Sequence, residues 1–175
     1  KFYLGNLDAQ RDWGHAKDYV RMMWMILQAD AAEDWVIATG KTTTVRDFVK
    51  MAFIETGITL RFEGEGVNEV GVIDSIDFEK YQAVMAKSSN GQRTTNNGKL
   101  PEIGKVVLAV DPHYFRPTEV DRLIGNATKA RTKLGWKCKY DLPALVKEMM
   151  QSDIILMQKE QYLKEGGYTT LNYFE

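Results

Sequence analysis

The sequence predicts an α/β fold, in which short strands alternate with amphipathic helices along the chain. The clearest helix covers residues 12–28, where apolar side chains recur at i, i+3, i+4 and i+7. These side chains are Val20, Met23, Trp24 and Leu27. Short apolar runs at residues 35–39 and 106–110, ended by Gly40 and by Asp111-Pro112, are typical of strands. No repeat interrupts this alternation, so one α/β unit is expected.

Capping residues indicate where the helices are expected to begin. Asp12 is expected to cap the first helix, and Thr44, with Asp47 three residues on, to cap a second one that ends at Gly57. A final long helix is expected from Asp141. Its inward side chains are predicted to be Leu142, Leu145, Val146, Met149 and Leu156.

Other segments give weaker patterns. Residues 60–62 and 72–76 favour strands, residues 78–85 have weak helical spacing, and the whole stretch 63–105 is expected to be variable and partly loop. Pro117 predicts a short helix that ends at Gly125, and Asn126 predicts a cap for a helix that runs to Gly135.

Composition excludes several classes of function. With 23 basic and 24 acidic residues, the chain offers no electrostatic reason to bind nucleic acid or an anionic membrane. Two histidines and one cysteine are too few for a zinc site made by the protein alone. The lone cysteine and the lack of a long apolar run favour a cytoplasmic protein. Because the chain opens at Lys1 directly in strand-like residues, it is expected to be part of a longer polypeptide.

Two arginines are candidate phosphate ligands. Arg11 lies just before the first helix, and a planar guanidinium beside free helix N–H groups suits a diphosphate. Arg116 precedes a proline that biases it to extended geometry, and Glu119 could accept hydrogen bonds from a ribose diol. On position alone, surface ion pairs and a helix-capping acid explain these three residues as well.

No catalytic motif accompanies these arginines. Glycine-rich nucleotide loops, a nucleophile elbow and a tyrosine followed four residues later by lysine do not occur in the sequence. His15 is expected to be a packed histidine rather than a general base, and Trp13 is expected to be structural. If the protein performs chemistry, its catalytic centre is therefore expected elsewhere.

Five stretches together resemble GDP-mannose 4,6-dehydratases, which are extended short-chain dehydrogenases. They cover residues 3–20, 36–40, 45–49, 114–121 and 133–137. The most discriminating are Gly5-Asn6-Leu7-Asp8 followed by Arg11-Asp12-Trp13-Gly14-His15, and Arg116-Pro117-Thr118-Glu119. The resemblance implies that residues 1–175 form the substrate-binding lobe of a Rossmann-type nucleotide-sugar enzyme, without its N-terminal NADP-binding half.

The resemblance also implies a reaction and a site. The family's NADP-dependent enzymes convert GDP-mannose to GDP-4-dehydro-6-deoxymannose with loss of water, in the GDP-fucose pathway, and a homo-oligomer is expected for the full-length enzyme. The substrate-binding residues carried over are Leu4, Gly5, Asn6, Arg11, Val45, Arg116 and Glu119. No catalytic, cofactor-binding or metal-binding residue is expected in this chain, which alone should be inactive. The alternatives are the lobe of a related nucleotide-sugar reductase or epimerase, or a non-catalytic oligomerisation module.

Overall fold

The computed structural model describes residues 1–86, 101–116, 120 and 122–170, and it confirms the mixed α/β class. The seven described strands are β1 (Phe2–Leu4), β2 (Gln10–Arg11), β3 (Thr43–Thr44), β4 (Ile58–Glu63), β5 (Val70–Ile76), β6 (Val106–Val110) and β7 (Arg122–Leu123). The five described α-helices are α1 (Ala16–Leu27), α2 (Val45–Glu55), α3 (Phe78–Ala86), α4 (Thr128–Leu134) and α5 (Leu142–Glu165). A single 3₁₀ turn, Gly66–Asn68, precedes β5.

A four-stranded sheet in the order β1-β6-β5-β4 organises the first core. β1 runs parallel to β6, whereas β5 is antiparallel to both of its neighbours. The sheet and α2 enclose a cluster of buried apolar side chains, as amphipathic elements must to remove their apolar faces from water. The cluster consists of Leu7, Val49, Ile58, Leu60, Ile73, Leu108 and Val110.

A second core lies between α1, α4 and the segment that follows α1. Its buried members are Met22, Ala38, Ala127, Ala130 and Trp136. Trp136 is fully buried, and its indole N–H donates to the carbonyl oxygen of Asp18 at 3.1 Å. The Leu-Gly-Trp element at the end of α4 is therefore explained by packing.

A small sheet in the order β3-β2-β7 joins distant parts of the chain. β2 is antiparallel to β3, with Gln10 opposite Thr44, and parallel to β7, with Arg11 opposite Leu123. Each strand of this sheet is only two residues long, but the pairing holds the segment around Arg11 against β3 and β7.

Several predicted ends are confirmed. The hydroxyl of Thr44 accepts a hydrogen bond from the amide of Asp47 at 3.0 Å, and the Asp141 carboxylate accepts from the amide of Ala144 at 2.9 Å. Gly135 ends α4 in the left-handed conformation, with φ of 65°, which favours glycine. β6 has the bounds predicted from the sequence.

The predicted start of the first helix is wrong, because α1 begins at Ala16. Its cap is His15, whose Nδ1 accepts from the amide of Lys17 at 3.1 Å, while Asp12 bonds instead to Thr39 and Gly40. The four apolar side chains named from the sequence are exposed, whereas Asp18 and Met22 are buried. Periodicity identifies the apolar side chains of a helix but does not tell which of them a neighbouring element covers.

Three further predictions need correction. Residues 35–39 form no strand. A short helix was predicted from Pro117 to Gly125, but Arg122–Leu123 is a strand, and the first residues of the predicted helix lie outside the described part. On α5, Val146 is buried as predicted, but Met149 and Leu156 are exposed.

Within the described residues, no helix is both long and apolar enough to span a bilayer.

Candidate functional site

The carboxyl ends of the parallel strands β1 and β6 form the first part of the candidate site. The amide of Asp111 donates to the carbonyl oxygen of Leu4 at 2.8 Å, so the two chains leave the sheet side by side. At Gly5, an added Cβ atom would lie 2.4 Å from the carbonyl oxygen of Tyr114. Only glycine permits this approach, which is why the glycine after β1 is needed. Crevices at the carboxyl ends of strands are common ligand sites in α/β sheets.

Arg11 lies beyond this edge, in the small sheet. Its Nη1 donates to the carbonyl oxygen of Gln10 at 2.9 Å and to that of Val120 at 3.0 Å. Val120 is four residues after Arg116, so folding brings the Arg11 side chain against the segment that carries the second predicted arginine. A sequence separation of 109 residues is closed by the pairing of β2 with β7.

Val45 and Asn6 flank the same region. The amide of Val45 donates to the carbonyl oxygen of Ala9 at 3.1 Å, and its side chain packs partly against the first core. The side-chain oxygen of Asn6 accepts from the amide of Asp8 at 2.9 Å, which fixes the turn between β1 and β2. Both residues therefore make structural contacts in addition to the substrate binding that was predicted for them.

Arg116 is exposed at the end of the segment that follows β6. Glu119, predicted to hold the ribose, lies outside the described residues, as does Pro117. The structure thus brings the segments carrying Leu4, Gly5, Asn6, Arg11 and Val45 next to one another, and Gly5 next to Tyr114, two residues before Arg116. We call residues 4–11, 43–46 and 111–116 the edge cluster.

Arg46 is a member of the edge cluster that the sequence did not single out. Its guanidinium bonds both carboxylate oxygens of Glu69, which is 6% exposed, and also Asp8, with Nη2 to Oδ1 at 2.7 Å. These hydrogen bonds, chiefly those that Arg46 donates to Glu69, raise the pKa of Arg46 above its usual value. Arg46 therefore ties the turn after β1 to β5. Its partners are 38 and 23 residues away in the sequence, so no local pattern could reveal the triad.

His15 is buried and packed, as expected, but it has a carboxylate neighbour that the sequence did not indicate. Its Nε2 lies 3.2 Å from Oε2 of Glu148 on α5, and its ring stacks on Tyr140. Glu148 also accepts from Lys17 Nζ at 2.6 Å. Hydrogen bonds from Lys17 and His15 lower the pKa of Glu148. Since the other ring nitrogen caps α1, the histidine fastens α1 to α5.

A cleft of about 630 Å³ lies beside Trp13, and neither Arg11 nor Arg116 is among the residues that line it. Trp13 stacks on Phe48 with ring centroids 4.4 Å apart, and its indole N–H has no partner among the described residues. The remaining wall comes from residues 138–144 at the start of α5 and from Thr39, Lys41 and Thr43. The thiol of Cys138 lines this cleft, and burial raises its pKa, which makes it a weak nucleophile near neutral pH. No described group of three or more His, Cys, Asp or Glu residues could hold a metal ion.

Comparison with known proteins places these features in context. The family model described as GDP-mannose 4,6 dehydratase matches residues 1–149. GDP-mannose 4,6-dehydratase of Sinorhizobium fredii is 49% identical over 152 residues, which are 87% of this chain and 36% of the relative. The enzymes of that name from Vibrio cholerae and Homo sapiens are 43% and 45% identical, over 95% and 90% of this chain. The chain spans only 40% and 35% of the length of those two relatives.

A solved structure shares the fold. The structure of RMD from Pseudomonas aeruginosa complexed with NADPH superposes with a TM-score of 0.54 at 13% sequence identity. The match covers 89% of this chain and 35% of that one. At this identity the likeness shows the fold alone.

Proposed function

Because this chain belongs to the GDP-mannose 4,6-dehydratase family, we propose that it forms the GDP-sugar-binding portion of such an enzyme. The whole enzyme would convert GDP-mannose to GDP-4-dehydro-6-deoxymannose and water. The observation that carries this proposal is the contact between the Arg11 guanidinium and the backbone of residue 120, just beyond Arg116. It supports the proposal because Arg11 contacts a residue only four positions after Arg116, the other predicted phosphate ligand.

The edge cluster suits a nucleotide diphosphate. Guanidinium groups bind phosphate oxygens bidentately and keep their charge at every physiological pH. Arg11 is half-buried, held by two backbone carbonyl oxygens and so pre-oriented, whereas Arg116 is exposed and able to close on a ligand. Leu4, Gly5 and Asn6 would lie against the nucleotide, Val45 would pack on the guanine, and Glu119 would bind the ribose hydroxyls.

The chemistry itself is assigned to the remainder of the enzyme. Bound there, NADP would supply the reversible hydride transfer that the internal oxidation and reduction of the sugar require. This chain has no glycine-rich loop and no Tyr-x-x-x-Lys pair to hold or use that cofactor. Its part is to bind and orient the GDP-sugar. The chain alone should therefore turn nothing over.

We further propose a cytoplasmic location and a homo-oligomer for the whole enzyme. A single, half-buried cysteine fits a reducing compartment. The homo-oligomer rests on the family resemblance, and mass measurement by light scattering of the full-length enzyme tests it.

Titration calorimetry with GDP and GDP-mannose tests the proposed site. We expect Arg11→Ala and Arg116→Ala each to weaken binding at least about tenfold, since each removes a charge-assisted contact of roughly 1.5–3 kcal/mol. Arg61→Ala is the matched control, because Arg61 is also half-exposed but lies on β4, at the opposite edge of the sheet from β1. Equal affinities in the wild-type chain and all three variants would refute the site.

Two further measurements test the function itself. Thermal shifts against GDP-, UDP- and dTDP-sugars should favour the GDP-sugars, because a ligand that binds only the folded state raises its stability. A preference for UDP- or dTDP-sugars would favour a related reductase or epimerase. Turnover of GDP-mannose by this chain with NADP would contradict the assignment of the chemistry to the rest of the enzyme.

A further inference from the structure

Three consecutive side chains at the end of β2 contact three different segments of the chain. Arg11 donates to a backbone carbonyl oxygen in the segment before β7 at 3.0 Å. The Asp12 carboxylate accepts from the amides of residues 39–40 at 3.0 and 2.8 Å. The ring of Trp13 stacks on that of Phe48 in α2. The position of Arg11 is therefore linked to α2 through a residue only two places further along the chain.

Helix α2 begins with Val45, the predicted guanine contact, and it is attached to residues that precede and follow Arg11 in the sequence. Its first two amides donate to the carbonyl oxygens of Ala9 and Leu7, at 3.1 and 2.9 Å. The stack with Trp13 is the attachment that follows Arg11. The proposed phosphate ligand thus lies between two points at which the chain is held to the helix that carries the proposed base contact.

The stack adds to a strand pairing that is very short. The ladder between β2 and β3 has two residue pairs and ends with Arg11 opposite Thr43. So short a ladder is only marginally stable by itself. Trp13 lies beyond its end, with its ring centroid 4.4 Å from that of Phe48 and the rings 29° apart, a favourable stacked geometry. The indole N–H of Trp13 has no partner among the described residues, so the ring and not a hydrogen bond holds this residue to α2.

We propose that Trp13 is a positioning residue which, by stacking on Phe48, fixes the separation between the guanidinium of Arg11 and Val45. This inference rests on the proposed function, because it concerns the phosphate-binding and base-binding parts of the same site. A nucleoside diphosphate has to reach both parts at once. Its second contact then forms within one complex, with an effective concentration that depends on how well the two parts are spaced. Trp13 acts here through Arg11 and needs no contact with the ligand.

Titration calorimetry with GDP, well below the melting temperature of each protein, tests this role. Trp13→Ala and Phe48→Leu should each weaken binding about fivefold or more, because either change removes the stack. Trp13→Phe should stay within about twofold of the wild type, since it keeps an aromatic ring and loses only an unpaired N–H. Phe53→Ala is the matched control, because it removes another stacked pair of α2, with Phe2 at 6.0 Å. It should lower the melting temperature but leave the affinity within about twofold.

Combining Trp13→Ala with Arg11→Ala distinguishes positioning from general damage to the fold. Once the guanidinium is absent, the loss of Trp13 should weaken GDP binding by less than about twofold further. A further fivefold loss in that background would overturn the inference, as would a Phe53→Ala chain that loses as much affinity as Trp13→Ala.

The same measurements separate this inference from the proposed function. Unchanged affinity in both Trp13→Ala and Phe48→Leu, with binding still weakened by Arg11→Ala, would overturn the positioning role and leave the proposed site in place. Equal affinity in the wild type and Arg11→Ala would contradict the proposed site itself, and the positioning role with it.

Discussion

Removing the guanidinium of Arg46 tests how the edge cluster is held together. Arg46 donates to Glu69 Oε2 at 3.1 Å and to Asp8 Oδ1 at 2.7 and 3.1 Å, and its guanidinium lies 5.0 Å from the ring centroid of Phe62. The Glu69 side chain is only 8% exposed, whereas that of Asp8 is 72% exposed. In Arg46→Ala the Glu69 carboxylate would stay buried without its partner, while Asp8 would turn to water.

The cost of this substitution follows from that difference in burial. Breaking a buried ion pair by removing one partner costs about 3–5 kcal/mol, and an exposed pair contributes about 0–1 kcal/mol. We therefore expect Arg46→Ala to lower the free energy of unfolding by about 3 kcal/mol or more and the melting temperature by roughly 6 °C or more. Asp8→Asn should cost less than about 1 kcal/mol.

Urea unfolding of the four proteins, wild type, Arg46→Ala, Asp8→Asn and Arg46→Ala/Glu69→Leu, measures these energies from midpoints and slopes. The double variant should recover most of the loss, because an apolar side chain replaces the buried, unpaired carboxylate. The reasoning fails if Arg46→Ala costs no more than Asp8→Asn, or if removing Glu69 restores nothing. Weaker GDP binding is also expected in Arg46→Ala, since the turn between β1 and β2 would lose its anchor to β5.

Three other outcomes are expected. Gly5→Ala should destabilise the chain by about 1–3 kcal/mol in urea unfolding, because the new Cβ would lie 2.4 Å from the carbonyl oxygen of Tyr114; a neutral effect would contradict the close packing of these segments. Met22→Ala should cost about 2–5 kcal/mol by the same assay, since this side chain is fully buried, and a cost below about 1 kcal/mol would mean that the second core collapses around the gap. The pKa of Glu148 is lowered, chiefly by Lys17, so its contribution to stability is present above its ordinary pKa of about 4.3 and is lost as the pH falls through the folded-state value. Melting temperatures of Glu148→Gln should accordingly fall less steeply than those of the wild type below about pH 5, and identical slopes would contradict this coupling.

Local signals predicted much of the fold because they depend on neighbouring residues. Thr44 and Asp141 cap their helices by bonding amides three residues away, and Gly135 stops α4 by its own conformational freedom. The same holds for β6, whose five apolar residues end at Asp111-Pro112. Such interactions involve residues within four or five positions of one another, so they can be predicted from the local sequence.

Contacts between distant residues were not predictable in this way. Asp12 was a reasonable cap for α1, yet its carboxylate accepts hydrogen bonds from Thr39 and Gly40, and His15 takes the capping position. Likewise, the buried carboxylate of Glu69 is neutralised by Arg46, 23 residues away in the sequence, once the chain folds. When several side chains could form the same hydrogen bond or ion pair, only their distances in the folded chain decide which of them does.

The sequence by itself determined the α/β class, the ends of the best-capped helices and, through its resemblance, the family to which the chain belongs. Tertiary structure alone decided that Arg11 contacts the segment after Arg116 and that Trp24 and Leu27 of α1 are exposed while Met22 is buried. The physical reason is the range of the forces involved: caps and turns are satisfied by adjacent residues, whereas burial and ion pairing depend on which distant surfaces meet.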